Sequence, residues 1–308
     1  VAHPTETPCH IIPINASALN AFTITVQAVM IAIRGRMSRM IPEAFQASGT
    51  CRCSSGGVLH HPRLSNTVQL WAVKLGVISD VHANIHALRA VWVTLAERGV
   101  EKIICLGDLI GYGASPVEVI QWMREYNVPC TLGASDARIA FELSETLEPR
   151  QGVGDETLAW TKTLLSDDEV SYLRSLKVIE RVQTPIGRLK FFHGMPDDPD
   201  GRINLRGSTN ELEEILAQLR CEIVLCGGSH IPDIQRTPSG LFINPGSVGL
   251  SLNGEPGADA AMLDFTEGHL EVEMLKIPYD FHAAAYDIHT WDLPEVIADV
   301  IKTGSAKR

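Results

Sequence analysis

Positive charge is scarce in this chain. Its 308 residues carry 26 Lys and Arg against 37 Asp and Glu, a net charge of −11. That balance argues against a nucleic-acid backbone as the main partner, because neutralising phosphates needs a basic surface. It leaves room for a small phosphate ester, since bound cations can reverse the local field. A zinc pattern is also absent: of seven cysteines, Cys51 and Cys53 are one residue apart with no second pair at finger-like spacing. Cys105, Cys130, Cys221 and Cys226 sit in or beside apolar runs, where a thiol acts as a small buried hydrophobe. The odd count and this placement point to a reducing cytoplasm rather than a disulfide framework. No internal repeat or low-complexity tract is evident.

Residues 1–72 lack more than the rest. They contain no Lys and no Asp, five Arg, and only Glu6 and Glu43 as acids. Such acid-poor, Arg-bearing composition is that of a targeting segment. A membrane anchor is the weaker alternative: "ALNAFTITVQAVMIAI" is 16 residues and carries Asn20, Thr23, Thr25 and Gln27, whereas a spanning helix wants about 20 mostly apolar residues. No membrane association is therefore expected. A third reading, adopted here, takes Val73 as the true start and residues 1–72 as a disordered or mis-assigned extension.

From residue 73 the patterning is that of an α/β domain. "KLGVISD" and "EKIICLGD" are short, nearly continuous apolar runs, as in strands buried on both faces. "NIHALRAVWVTLAERG" and "SPVEVIQWMREY" have helical spacing, the latter with Ser115 as N-cap and Pro116 at the first helical position. "NVPCTLG" reads as a third strand, and residues 137–176 as a helical insertion. Shorter strands then alternate with turns such as "TPIG" and "TPSG" up to about residue 290, and 291–308 form a C-terminal helix or tail. The expected architecture is α/β, two sheets packed face to face and flanked by helices, the second with much antiparallel pairing.

Ligand-type residues fall at the ends of these strands. Asp80 and His82 follow the first, Asp108 the second, His193 a later one, and His230 closes "CGGSH". Ligands of open α/β sheets bind beyond the carboxyl ends of strands, so these five could converge on one rim. Two carboxylates and three imidazoles suit Mn²⁺, Fe or Zn²⁺ better than Ca²⁺.

Residues 74 to about 290 resemble the calcineurin-like metallophosphoesterases, in particular their compact bacterial and archaeal phosphodiesterase branch. The resemblance is carried by "LGVISDVHANIHAL", "LGDLIGYGASPVEVI", "FFHGMP", "GSHIPDIQRTPSGLFINPGSVG" and "IPYDFHAAAYDI". It implies a four-layer α/β/β/α sandwich of two mixed sheets flanked by helices, and a first metal, most simply Mn²⁺, on Asp80, His82 and His230, with Asp108 bridging to a second. It also implies that the second metal would need an Asn from a GNHD segment, His193, and the first His of a GHxH segment. This chain has "GASD" and "GGSH" there. Ala134 and Gly228 stand where two ligands belong, and Ser135 stands where the family keeps its catalytic His. Asp136, the usual orienting partner of that His, remains. Asn84 or the acids of "PDDPDGR" are the nearest candidates to reach in as substitutes, Asn84 also as a substrate contact.

These departures set the functional expectation. A serine hydroxyl cannot replace an imidazole as proton donor near neutral pH, and losing a general acid typically costs about 10²–10⁴-fold. The expectation is a metal-dependent phosphoesterase acting on a small phosphate ester or nucleotide, with one well-formed metal site, a weak second one and no catalytic His. The alternative is a degenerate member that binds a phosphate ligand or a protein partner without turnover. Relaxed selection and purposeful inactivation produce three such changes in an intact framework equally well.

Overall fold

The structure, a computed structural model, describes residues 68–69, 74–141, 152–265 and 268–306. The reading of residues 1–72 as an extension thus lies outside the described residues, apart from Val68–Gln69 (β1), a two-residue strand. The domain proper begins with β2 (Lys74–Ile78), α1 (Ile85–Glu97), β3 (Lys102–Cys105) and α2 (Pro116–Glu125). Three helices follow, α3 (Ala134–Phe141), α4 (Val153–Leu164) and α5 (Asp167–Ser175). Then come β4 (Ile179–Thr184), β5 (Gly187–Phe192), α6 (Thr209–Leu219), β6 (Ile223–Leu225), β7 (Asp233–Thr237) and β8 (Gly240–Asn244). The described chain closes with β9 (Ala258–Asp264), β10 (Glu271–Ile277), α7 (Phe281–Thr290) and α8 (Glu295–Thr303).

The strands form two mixed sheets, in the orders β1-β4-β5-β6-β8-β7 and β10-β9-β2-β3. In the smaller sheet β2 runs parallel to β3 and antiparallel to β9; in the larger, β5, β6 and β8 are parallel neighbours. Strand alternation then builds the layers. Phe191, Ile223, Leu225, Leu241 and Ile243 of the larger sheet share one buried cluster with Leu75, Val77, Ile104, Ala261 and Leu263 of the smaller. Their sequence neighbours Phe192, Val224 and Phe242 point the other way, beneath Leu212, Leu216 and Leu219 of α6. A one-residue slip of any of these strands would exchange the two faces, so the alternation fixes the register. On the far side α1 lies against β9 and β10. The result is helix, sheet, sheet, helix, as expected from the sequence.

Two local readings differ. "NVPCTLG" is no full strand: Cys130 and Thr131 make only isolated bridges, to Cys105 and Lys177. Pro129 has no N–H to give the ladder; its carbonyl accepts from Cys105 N at 2.9 Å, Thr131 N returns a bond to Cys105 O, and Leu132 N donates to Lys177 O at 2.9 Å. Ser115 is the N-cap of α2 by position, but its hydroxyl makes no capping bond. Cys105, Cys130, Cys221 and Cys226 are free and buried. Among the described residues no helix is long and apolar enough to cross a membrane.

Candidate metal centre

The sheets end on one rim. Asp80 follows β2, Asp108 follows β3, His193 follows β5, and His230 follows β6. The turns that carry them are strained. Asp80, His82, Ala83, Asp108, Tyr112 and His230 all have positive φ, between 45° and 60°. Non-glycine residues held there cost on the order of 1–3 kcal/mol each, and such strain gathers at functional sites. Neighbouring backbone enforces it: Asp80 N donates to Gly107 O, His82 N to Asp108 O, and Gly249 N to Asp80 O, each at 3.0 Å.

Three imidazoles are aimed by the same device. His82 Nδ1 donates to Ile110 O at 3.1 Å, His193 Nδ1 to Leu106 O at 3.1 Å, and His230 Nδ1 to Leu250 O at 2.8 Å. A carbonyl can only accept, so each Nδ1 carries hydrogen and each neutral ring turns a bare Nε2 inward. All three converge on one carboxylate oxygen. Asp80 Oδ1 lies 3.2 Å from His230 Nε2, 3.8 Å from His82 Nε2 and 3.9 Å from His193 Nε2. It is fully buried and has no hydrogen-bond partner. Asp108 Oδ2 sits 3.4 Å from His193 Nε2 and 3.7 Å from His82 Nε2. Two groups of three ligands result: Asp80, His82 and His230, and Asp80, Asp108 and His193.

Electrostatics makes the same demand. Burial alone would raise both aspartates, but His230 and His193 outweigh it at Asp80, and His193 does so at Asp108, so both carboxyls are held below their usual range. Burial works against a charged His193, yet Asp108 and Asp80 push it up to about 10. His230 is likewise raised, by Asp80 against burial. His82 alone is lowered, to about 4, by burial and the adjacent His230. The site thus favours positive charge beside its two buried carboxylates. A divalent cation brings such charge, and its binding would displace protons from its ligands. An orphaned carboxylate oxygen ringed by three inward nitrogens fits such an ion.

The second half of the centre is thinner. Ala134 and Gly228 line the cavity but offer no ligand atom. Gly228 has φ +76°, and a Cβ built on it would lie 3.3 Å from His193 Nε2. Ser135 sits on Asp108, its N donating to Oδ1 at 2.8 Å and its Oγ to Oδ2 at 3.3 Å. Asp136 is committed to the backbone: it accepts from Leu109 N (3.0 and 3.2 Å), Ile110 N (3.3 Å) and Gly133 N (3.1 Å). It therefore pins the Asp108 turn to the start of α3. Burial, then Asp108, pushes its carboxyl up to about 7.

Asn84 does not rescue the second site. Its Oδ1 caps α1 by accepting from Ala87 N at 3.0 Å, and its Nδ2 donates to Gly249 O and Tyr279 Oη, both at 3.1 Å. Capping is what an Asn at this position does best, and it uses the side chain completely. Of the "PDDPDGR" acids, Asp198 holds its own loop by accepting from Asp200 N at 3.0 Å, while Asp200 lines the cavity.

That cavity, about 140 Å³, opens over His82, Asp108, His193 and His230. Its far walls come from residues that the sequence reading did not single out for the site: Tyr112, Arg138, Gly154, Leu158 and Arg202. Arg138 of α3 pairs with Asp155 of α4 at 2.6 Å. Tyr112 stands edge-on to the His82 ring, centroids 4.8 Å apart. The signal available was slight, an aromatic between two glycines in "GYG".

The chain is similar to several known proteins. The uncharacterized protein MJ0912 of Methanocaldococcus jannaschii is 28% identical over 245 residues, 75% of this chain and 98% of its own. Two solved structures each cover 76% of this chain over 99% of theirs. One is the hypothetical protein PH1004 of Pyrococcus horikoshii OT3, 25% identical with a TM-score of 0.68. The other is a metallophosphoesterase of Sphaerobacter thermophilus, 26% identical with a TM-score of 0.61. The model of the calcineurin-like phosphoesterase superfamily domain matches residues 73–268, which is most of the chain, and the protein belongs to that superfamily.

Proposed function

We propose that the protein hydrolyses small phosphate esters, diesters or monoesters, with one divalent metal held tightly and a second held weakly or not at all. The observation that carries this reading is the buried, unpartnered Asp80 Oδ1 inside its ring of three Nε2 atoms. Asp80, His82 and His230 would hold the tight ion with Asp108, and Mn²⁺ suits this donor set first, Fe or Zn²⁺ next. Asp108 and His193 are what remains for the other. When bound, the ion supplies Lewis-acid polarisation of the phosphoryl group. The chain's own residues fix the rest. Carbonyls of Ile110, Leu106 and Leu250 set the tautomers of the three imidazoles. Asp136 holds the Asp108 turn, and the walls of the cavity shape the ester's surroundings.

No imidazole stands at Ser135, and its hydroxyl hydrogen is directed at Asp108. Turnover should therefore depend on the leaving group: adequate with an activated aryl ester, slow with an alkyl one. The same substitution favours the second reading, in which the centre binds a phosphate ligand or supports a protein partner without turnover. A small phosphate ester or nucleotide in the cytoplasm is the ligand this reading names, in keeping with the buried free thiols.

The deciding experiment is hydrolysis of an aryl and an alkyl phosphodiester by the full chain after loading with Mn²⁺, beside a metal analysis. About one ion per chain with aryl-selective turnover is the expected result. Metal without turnover of either ester leaves the binding reading, and no bound metal overturns both.

A further inference from the structure

Ser135 leaves a vacancy in the chemistry, because a phosphate ester in the cavity meets no side-chain donor from the position of the missing histidine. Both hydrogens that Ser135 can give, from N and Oγ, go to Asp108. The adjoining wall is the segment Gly111–Tyr112. A Cβ at Gly111 would lie 3.4 Å from Ser135 Oγ, so this segment packs directly on the substituted residue.

Tyr112 has the marks of a side chain held for a purpose. Its φ is +60°, an uncommon value for a bulky residue that calls for an explanation in function or strain. Its amide is tied to Thr157 Oγ1 at 3.0 Å, and Thr157 Oγ1 in turn to Gly154 O at 3.0 Å. Its ring is braced edge-on against His82. A Cβ on Gly154 would come 3.0 Å from the phenol oxygen, so α4 makes room for that oxygen by carrying glycine there. Yet among the described residues Tyr112 Oη has no hydrogen-bond partner. Asp108, Asp155, Arg138 and Arg202 are the charges that act on it, and of these Asp155 is paired with Arg138. Tyr112 is half-buried and lines the cavity over the candidate metal ligands, where a free hydroxyl donor can meet a bound ligand.

We propose that Tyr112 Oη donates a hydrogen bond to an oxygen of the bound phosphate ester, supplying from the Ser135 side of the cavity the donor that Ser135 does not. This rests on the phosphoester reading and identifies a further residue for it. No proton leaves the phenol, and the bond stabilises negative charge on the phosphoryl oxygen. Arg202, exposed at the mouth, is the competing donor.

The test uses the manganese-loaded full chain and inorganic phosphate as probe, measured by calorimetry, with ester hydrolysis in parallel. Tyr112→Phe keeps the ring against His82 and should keep metal content. It should weaken phosphate binding about 10–100-fold, the range for a hydrogen bond to a charged group, and lower kcat/KM about 10²-fold. Gly154→Ala crowds the phenol without removing it. It should weaken phosphate binding in the wild-type background and do nothing further beside Tyr112→Phe. Phosphate bound equally well by wild type and Tyr112→Phe overturns the assignment, as does a Gly154→Ala effect that persists without the phenol. A loss seen only with Arg202→Ala also overturns it, by giving the role to that residue. Should Tyr112→Phe not fold, Gly154→Ala alone decides, since unchanged affinity means the phenol is not used. If no ester is hydrolysed, the phosphoester reading fails while the phosphate isotherms still judge Tyr112. If wild type binds no phosphate, the assignment fails with it.

Discussion

The two halves of the centre are built on the same rim and have fared differently. On one side Asp80, His82 and His230 are complete, the first two buried and the third half-buried, and each is held by backbone bonds. On the other, Asp108 and His193 are as well placed, but Ala134, Ser135 and Gly228 bring no ligand and no imidazole. The backbone of this second half is as closely held. Asp136 still gathers Leu109, Ile110 and Gly133, and Gly228 still donates its N–H to Asp80 Oδ2 at 3.1 Å. This frame carries the fold as well as the centre: these bonds join the ends of both sheets.

The comparison breaks first at Asp80. Asp80→Asn removes the carboxylate common to both ligand groups, and manganese affinity should fall by more than about 100-fold, read by metal analysis after dialysis. Retained metal would mean the ion is held elsewhere. Next, Ala134→Asn with Ser135→His should raise turnover of an alkyl phosphodiester about 10²–10⁴-fold, and of an aryl one far less. Equal gains for both esters would show that the missing donor is not what limits the chain. Adding Gly228→His should complete the second ion site, but at φ +76° it costs about 1–2 kcal/mol, visible as a lower Tm.

Asp136→Asn sharpens the comparison by separating frame from chemistry. Both carboxylate oxygens accept backbone N–H bonds, so an amide would turn a donor toward donors and cost about 1–3 kcal/mol in denaturant unfolding. A lost rate with unchanged stability would make Asp136 chemical instead. The smallest effect belongs to Asn84→Ala, about 1 kcal/mol from the lost cap of α1 with metal content unchanged. Metal lost along with the cap would return Asn84 to the centre.

Much of this was legible along the chain. The five candidate ligands were readable because each follows the end of a strand, and a strand of one or two apolar faces announces its end with polar or glycine residues. The missing third strand was not readable, because "NVPCTLG" is as apolar as a real strand and only the neighbouring ladder reveals that it makes isolated bridges. The capping bonds of Asn84 were not readable for a related reason. Beside a ligand motif an Asn looks like a ligand, and whether it caps a helix depends on bonds to Ala87, Gly249 and Tyr279, two of them distant in sequence.

Sequence alone thus determined the layers, the order of the ligands and the three substitutions, because alternation and strand ends are local properties of a chain. Tertiary structure decided what those residues face. Three imidazoles aimed at one unpartnered oxygen, and one phenol left without a partner in the cavity, are set by carbonyls and glycines far away in sequence. Distances of 3–4 Å between such groups exist only once the two sheets have packed and brought their strand ends to a common rim.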